Sequence, residues 1–248
     1  MRLIFIRHAE PDYARDSLTE AGFREAALLA KRVAQWPVDE FFVSPLGRAQ
    51  DTARPSLAAC GRTGVTLDWL EEFRCGAYQM PDREGKTKQV PWDFLPEYWT
   101  ARPEFADRDR WMQLPVMQAM PQSVEARFAQ VCGGIDGLLA RYGYRRKGGV
   151  YRVAADAKRD TTLVFFCHLG TTGAVAGHLL NMAPPLLWQS VFLPPGSVTV
   201  LNTEEQTAGI AGFRCQVMGD TAHLRGSGEP VSRMGAFGPV FDESGHTL

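Results

Sequence analysis

Two unbroken apolar runs organise the chain. Leu3-Ile4-Phe5-Ile6 opens it, and Leu163-Val164-Phe165-Phe166, inside TTLVFFCH, comes much later. Runs of this length without alternation fit strands covered on both faces, as in a parallel sheet. Between them the period becomes helical. In DSLTEAGFREAALLAKRVAQW, Phe23, Ala26, Ala27, Ala30, Val33 and Ala34 form one stripe, and Glu20, Arg24, Glu25, Lys31 and Arg32 the opposite, solvated face. Thr19 is placed to cap this helix, Leu18 to staple onto Phe23, and Trp36-Pro37 to end it. Val38 to Val43 predicts a second strand. Ser44-Pro45 predicts a helix start, with Ser44 as cap and Pro45 at the first helical position. Thr66 to Leu70 predicts a third strand, and Ser123 to Tyr142 a helix on Val124, Phe128, Val131, Ile135, Leu138 and Leu139. YGYRRKGGVYRVAADAKRD reads as a polar connection in which Arg145, Arg146 and Lys147 make a solvated turn. Val198 to Leu201 and Ile210 to Val217 predict final strands, paired as a hairpin, and from Gly219 the pattern predicts loop, with His178, His223 and His246 structural or exposed. Strands alternating with helices specify an α/β fold.

Residues 78–121 break the pattern. They are rich in Pro and aromatic residues and have no period, so they read as an insertion or lid within a single domain over 1–248. Trp92, Phe94, Tyr98, Trp99, Phe105 and Trp111 fit either a lid that chooses substrate or a small core of their own. Arg83, Lys86 and Lys88 are placed to reach a second anionic group.

Composition narrows the field. Lys plus Arg total 27 against 28 Asp plus Glu, so no overall field favours nucleic acid or a membrane surface, and any anion site must be local. The opening apolar stretch is closed by Arg7 and does not read as a signal peptide. No apolar run approaches the roughly 18 residues of a membrane span. Five scattered Cys without a C-x-x-C pair fit core or surface thiols in a reducing compartment, so a cytoplasmic location is expected.

The chemistry sits where strands end. Open α/β sheets bind ligands at the carboxyl ends of their strands, where the first run delivers Arg7 and His8 and the last delivers His168. His8, Glu10 and Asp12 alternate and would suit a divalent cation if the chain stayed extended, but Pro11 interrupts it. A helix starting near Leu169-Gly170 would aim free N–H groups at an anion there.

Arg7-His8-Ala9-Glu10, SPLGRAQDTA at 44–53, Glu72 four places before Gly76, and Cys167-His168 together resemble the signatures of the histidine phosphatase (phosphoglycerate mutase-like) superfamily, in order along the chain. Ala9 stands where the family usually has Gly, and Gly170 arrives one place late after His168. The resemblance implies a three-layer phosphoglycerate mutase-like fold, with a mostly parallel six-stranded sheet and helices on both faces. It implies a phosphatase that hydrolyses a phosphomonoester without metal or organic cofactor. His8 would be the nucleophile that carries the phosphoryl group, and Arg7, Arg48, His168 and the Leu169 backbone would hold it. Glu72, or Glu71 with a one-residue slip, would be the proton donor. Mutase-type phosphoryl transfer and a non-catalytic phosphate-binding module are the alternatives. The expected partner is a small phosphorylated substrate, and a homodimer is compatible with the chain.

Overall fold

The computed structural model describes residues 1–236. Its framework runs β1 (Arg2–Arg7), α1 (Glu20–Val33), β2 (Glu40–Val43), α2 (Gly47–Cys60), β3 (Gly64–Thr66), α3 (Val124–Ala140), β4 (Tyr144–Lys147), β5 (Val150–Val153), β6 (Thr162–Cys167), α4 (Leu169–Leu180), α5 (Pro184–Ser190), β7 (Val198–Thr207) and β8 (Ile210–Asp220). One mixed sheet has the order β3-β2-β6-β1-β7-β8-β5-β4. The first four are parallel, and β1 to β7 onward is antiparallel.

The two apolar runs are central and adjacent, paired in register from Arg2 with Thr162 to Arg7 with Cys167. Side chains alternate across a strand, so each run feeds two cores. Ile4, Ile6, Val164 and Phe166 meet Leu29, Val33 and Ala53 from α1 and α2. Leu3, Phe5, Leu163 and Phe165 face α3 and α4 on the other side. The Phe5 and Phe165 rings stack there with centroids 4.6 Å apart.

The sheet has eight strands rather than six. The extra pair comes from the segment that reads as a solvated turn, where Tyr144–Lys147 and Val150–Val153 form a hairpin. Gly148, at φ +61, makes its tight turn. Tyr144, Tyr151 and Val153 are buried while Arg145, Lys147 and Arg152 are exposed, so the basic residues occupy the outer side of a real strand pair. β7 and β8 form the expected hairpin and run longer than predicted. The third strand ends at Thr66, with a 3₁₀ turn at Asp68–Leu70. After Gly219 a short helical turn, Ala222–Arg225, precedes irregular chain. His246 lies outside the described residues.

Helix starts agree with the sequence pattern only in part. Thr19 caps α1, accepting from the Gly22 N–H at 3.0 Å. Phe23 nevertheless points outward, and Leu18 packs with Ala9 and Ala26 instead. α2 begins at Gly47 with Leu46 as its cap, because Ser44 is drawn into the site described below. No helix among the described residues is long and apolar enough to cross a membrane.

Residues 78–121 join the main core. Trp92, Phe94, Phe105 and Trp111 are buried in the cluster that holds Phe5 and Phe165, and Tyr98 and Trp99 pack against it. Trp188 of α5 is the junction, with ring centroids 5.5 Å from both Trp92 and Trp111.

Glu25, on the helix face expected to meet water, is 1% exposed. Its carboxylate accepts from the Glu10 N–H at 2.7 Å. Burial raises its pKa from an ordinary 4.5 to about 7. The folded chain therefore holds this proton more tightly than the unfolded chain, and the group's contribution is full below pH 4.5 and is lost as pH rises to about 7. Glu25→Gln keeps a carbonyl acceptor and cannot ionise. It is expected to gain on the wild type as pH rises from about 4.5 to about 8, by at most about 3 kcal/mol at roughly 1.36 kcal/mol per pKa unit. Thermal denaturation of both proteins across that range measures the difference, and parallel curves would show that Glu25 does not titrate there.

Candidate active site

The β1–β6 register decides the geometry. His8 follows Arg7, His168 follows Cys167, and the His8 N–H donates to the Cys167 carbonyl at 2.9 Å. The two imidazoles are thereby held with centroids 5.2 Å apart, both essentially inaccessible to solvent.

His8 Nδ1 lies 2.8 Å from the Ala9 carbonyl oxygen. A carbonyl only accepts, so this contact assigns the proton to Nδ1 and leaves the lone pair on Nε2. Burial, then the charges of Arg7 and Arg48, push the His8 pKa well below 6.5. The ring is therefore neutral, as a nitrogen nucleophile must be. Ala9 is fully buried, and its N–H donates to Thr52 Oγ1 at 3.0 Å. It stands where the family usually has Gly without needing a positive φ.

His168 Nε2 lies 2.8 Å from Ser44 Oγ, and Ser44 Oγ accepts from the Leu46 N–H at 3.3 Å. One arrangement that satisfies both contacts has the Ser44 hydroxyl donating to Nε2, and with it the His168 proton sits on Nδ1. That nitrogen is buried and has no partner among the described residues. The Nε atoms of Arg7 and Arg48 are likewise buried without partners among the described residues, so in that arrangement three donors from three segments remain unspent. Burying unpaired donors is costly, and an oxyanion would satisfy all three.

The arginines are oriented from behind. Arg7 Nη1 donates to the Leu193 carbonyl at 2.5 Å and Nη2 to the Met234 carbonyl at 3.2 Å. Arg48 Nη1 pairs with Asp16 Oδ1 at 2.5 Å, and Asp16 Oδ2 accepts from the Gly47 N–H at 2.7 Å. Tyr13, more than half exposed, lies at the mouth, with the Arg48 guanidinium 5.5 Å from its ring centroid.

Glu72 is the acidic residue that joins this group. Its Oε1 accepts from the N–H groups of Phe73 at 2.7 Å, Gly170 at 3.0 Å and Thr171 at 3.3 Å. Burial raises its pKa, against the lowering effect of those donors and of Arg48 and Arg7. Glu71 is exposed, and its backbone carbonyl serves Arg127 Nη2 at 2.8 Å. Gly76, four places on, takes φ +75, a left-handed turn that suits glycine. The α4 N-terminus, expected to face an anionic ligand, thus spends its Gly170 and Thr171 amides on Glu72. Leu169, the first residue of α4, is buried beside them.

The residues weighed for a cation do not gather. Glu10 turns to the hydroxyls of Thr19 and Ser232, at 2.8 and 2.6 Å. Asp12 accepts from the Ala14 and Arg15 N–H groups. Among the described residues, no three or more His, Cys, Asp or Glu side chains come together as a metal site. Arg83 and Lys88 are occupied within their own segment, by the Asp93 carbonyl and the Asp93 carboxylate respectively.

Sequence reasoning misses three contributors: Ser44 as the partner of His168, Tyr13 and Asp16. Ser44 belongs to the SPLGRAQDTA motif, where its position before a proline suggests only helix capping. Trp92 reaches the site through Gly170, because a Cβ there would lie 2.2 Å from the Trp92 ring and 2.7 Å from Glu72 Oε1.

Topology and site together define an α/β protein of the phosphoglycerate mutase-like class. A family model described as histidine phosphatase superfamily (branch 1) matches residues 3–216, and the chain belongs to that superfamily. A probable phosphoglycerate mutase of Yersinia pestis is 42% identical over 80 residues, covering 29% of this chain and 37% of that protein. The chain thus spans little more than a third of the length of the curated relatives it matches. Among solved structures, a mycobacterial glucosyl-3-phosphoglycerate phosphatase aligns with TM-score 0.59 and 20% identity, over 89% of this chain and 99% of that one. The alpha-ribazole phosphatase of Shigella flexneri aligns at 0.57 and 18%, over 89% and 96%. A phosphoserine phosphatase variant from Entamoeba histolytica aligns at 0.57 and 15%, over 90% and 98%. At these identities the likeness is one of fold.

Gly170 is a tight backbone position in the site. Gly170→Ala is expected to force Trp92 or Glu72 aside and to cost about 1–3 kcal/mol, the usual range for overpacking. Gly133, in α3 with open space where a methyl group would stand, is the control. Its replacement by Ala should stabilise by roughly 0.5–1 kcal/mol through helix propensity. Denaturant melts of the two variants check the contrast, and equal stabilities would show that Trp92 yields freely.

Proposed function

We propose that this protein is a phosphatase that hydrolyses a small phosphomonoester through a phosphohistidine on His8. The observation that carries the reading is the His8 ring itself. It is buried and neutral, its proton is committed to the Ala9 carbonyl, and its free lone pair stands beside three unspent donors.

In the proposed sequence His8 Nε2 attacks phosphorus in line as the phosphorus–oxygen bond to the leaving group breaks. Arg7, Arg48 and the His168 Nδ1–H hold the equatorial oxygens as charge spreads over them. The leaving alkoxide takes the proton of Glu72, whose raised pKa keeps it protonated above the usual carboxyl range. A water then attacks phosphorus and returns a proton to the Glu72 carboxylate. The nitrogen–phosphorus bond breaks, and phosphate departs with His8 restored. No step calls for a metal or an organic cofactor. Trp92, packed against Gly170, supports reading 78–121 as a cover over Glu72 that keeps water from the acid and faces the leaving group.

The 42% identity to a probable phosphoglycerate mutase favours one second reading, in which a substrate hydroxyl replaces water as the acceptor. Phosphate release without a second sugar or acid product separates the two.

Labelling tests the nucleophile. Rapid quench in alkaline SDS with a ³²P-phosphomonoester should trap an acid-labile, base-stable label that is absent from His8→Ala, together with turnover. Label and turnover surviving that change would remove His8 from the mechanism.

Glu72→Gln separates the acid from the rest. Alkyl phosphates should slow by about 10²–10³-fold, and aryl phosphates with good leaving groups far less, because those leave without a proton. With alkyl substrates the wild-type rate should fall as pH rises through the raised Glu72 pKa, while the low His8 pKa keeps the nucleophile active into acid. A pH–rate profile unaltered in Glu72→Gln would assign the acid elsewhere.

A further inference from the structure

The end of α4 remote from the histidines carries a second polar cluster. Arg108 Nη1 and Arg146 Nη2 both donate to Asn181 Oδ1, each at 3.1 Å. Asn181 Nδ2 donates to the Gly149 carbonyl at 2.8 Å, which fixes the way the amide faces. Asn181 is the left-handed C-cap of the helix that begins after His168, so at about 1.5 Å per residue the cluster stands roughly 18 Å from the catalytic end.

Two guanidinium groups converging on one uncharged oxygen repel each other, and the shared acceptor does nothing to neutralise them. Among the described residues, no nearby carboxylate meets both: Arg146 Nη1 reaches Asp136 only through the Tyr151 hydroxyl, at 3.2 Å from that oxygen, and Arg108 meets Asp109 only at the surface. Asp136 accepts from the Tyr151 hydroxyl at 2.5 Å and lies 3.0 Å from His178 Nε2. Asp109 touches Arg108 Nε at 3.3 Å from a side chain that is 79% exposed, where an ion pair contributes little. Beside the two arginines lies a cavity of about 320 Å³, lined also by His178, Met112, Phe128 and Met182. A concave, partly apolar pocket with a few converging charges is what small-molecule sites share, and paired guanidinium forks match an oxyanion.

We propose that this cavity is a second binding site, for a small organic anion whose oxyanion bridges Arg108 and Arg146 and whose apolar body rests on Met112, Phe128 and Met182. It uses no residue of the His8 centre and stands independently of the activity proposed above.

The test uses the full chain with ¹³C-labelled histidine, the His178 signal being assigned by its loss in His178→Gln. Phenylphosphonate, an oxyanion with an apolar body and no hydrolysable ester, should shift the His178 signal saturably. In Arg108→Gln, and in Arg108→Gln with Arg146→Gln, half-saturation should rise by about tenfold or more, as the loss of a charge-assisted contact implies, while the His8 and His168 signals continue to report the folded catalytic centre. Arg108 is half exposed, so its single replacement leaves the Tyr151–Asp136–His178 contacts in place. A His178 signal that does not move, or that moves at the same half-saturation in both variants, overturns the site. Inorganic phosphate matching phenylphosphonate overturns the assignment to an organic anion, since the apolar wall would then add nothing.

Discussion

The parallel pairing of β1 with β6 is the constraint on which the rest depends. One-residue slippage of a strand turns every side chain to the opposite face, and here it would also carry His8 past His168. The pairing of Arg7 with Cys167 therefore ties core packing and the spacing of the two imidazoles to the same set of backbone hydrogen bonds. Ile4, Ile6, Val164 and Phe166 on one side, and Leu3, Phe5, Leu163 and Phe165 on the other, hold the register by burial, so the geometry of the site is stabilised by groups that never touch it.

Charge in this pocket is managed by occupation from behind. Arg7 is committed to two carbonyls, Arg48 to Asp16, and Glu72 to three backbone N–H groups. Each side chain keeps a free face only because its other face is satisfied. Burial drives the titratable groups in opposite directions, the histidines toward neutrality and the carboxyl toward retaining its proton. A single low-dielectric environment thus favours the uncharged form of both the imidazoles and the carboxyl.

What is legible in the sequence follows from how local the signal is. The two apolar runs, the Thr19 and Ser123 caps, the final hairpin and the residues Arg7, His8, Arg48, Glu72 and His168 rest on short stretches, and the structure brings those five side chains to one sheet edge. The β4–β5 hairpin is hidden because Arg145, Arg146, Lys147 and Arg152 mask the alternation of Tyr144, Tyr151 and Val153, although Gly148-Gly149 marks its turn. The charge of Glu25 points to water, and only the backbone N–H of Glu10 explains its burial. Ser44 and Trp92 act through contacts with residues about 80 to 125 positions away, which no local pattern carries. The aromatic segment has no period because its side chains fill gaps in a core built by other elements.

The centrality of β1 also bears on how the chain is made. Its backbone partners lie in β6 and β7, about 160 to 200 residues downstream, so this strand leaves the ribosome long before either neighbour exists. At about 5–20 residues per second the Leu3–Ile6 run stays unpaired for roughly 10–30 s. Over that interval a bare apolar strand is an aggregation hazard. The flanking Arg2 and Arg7, one exposed and one later buried beside His8, bracket the run with positive charge.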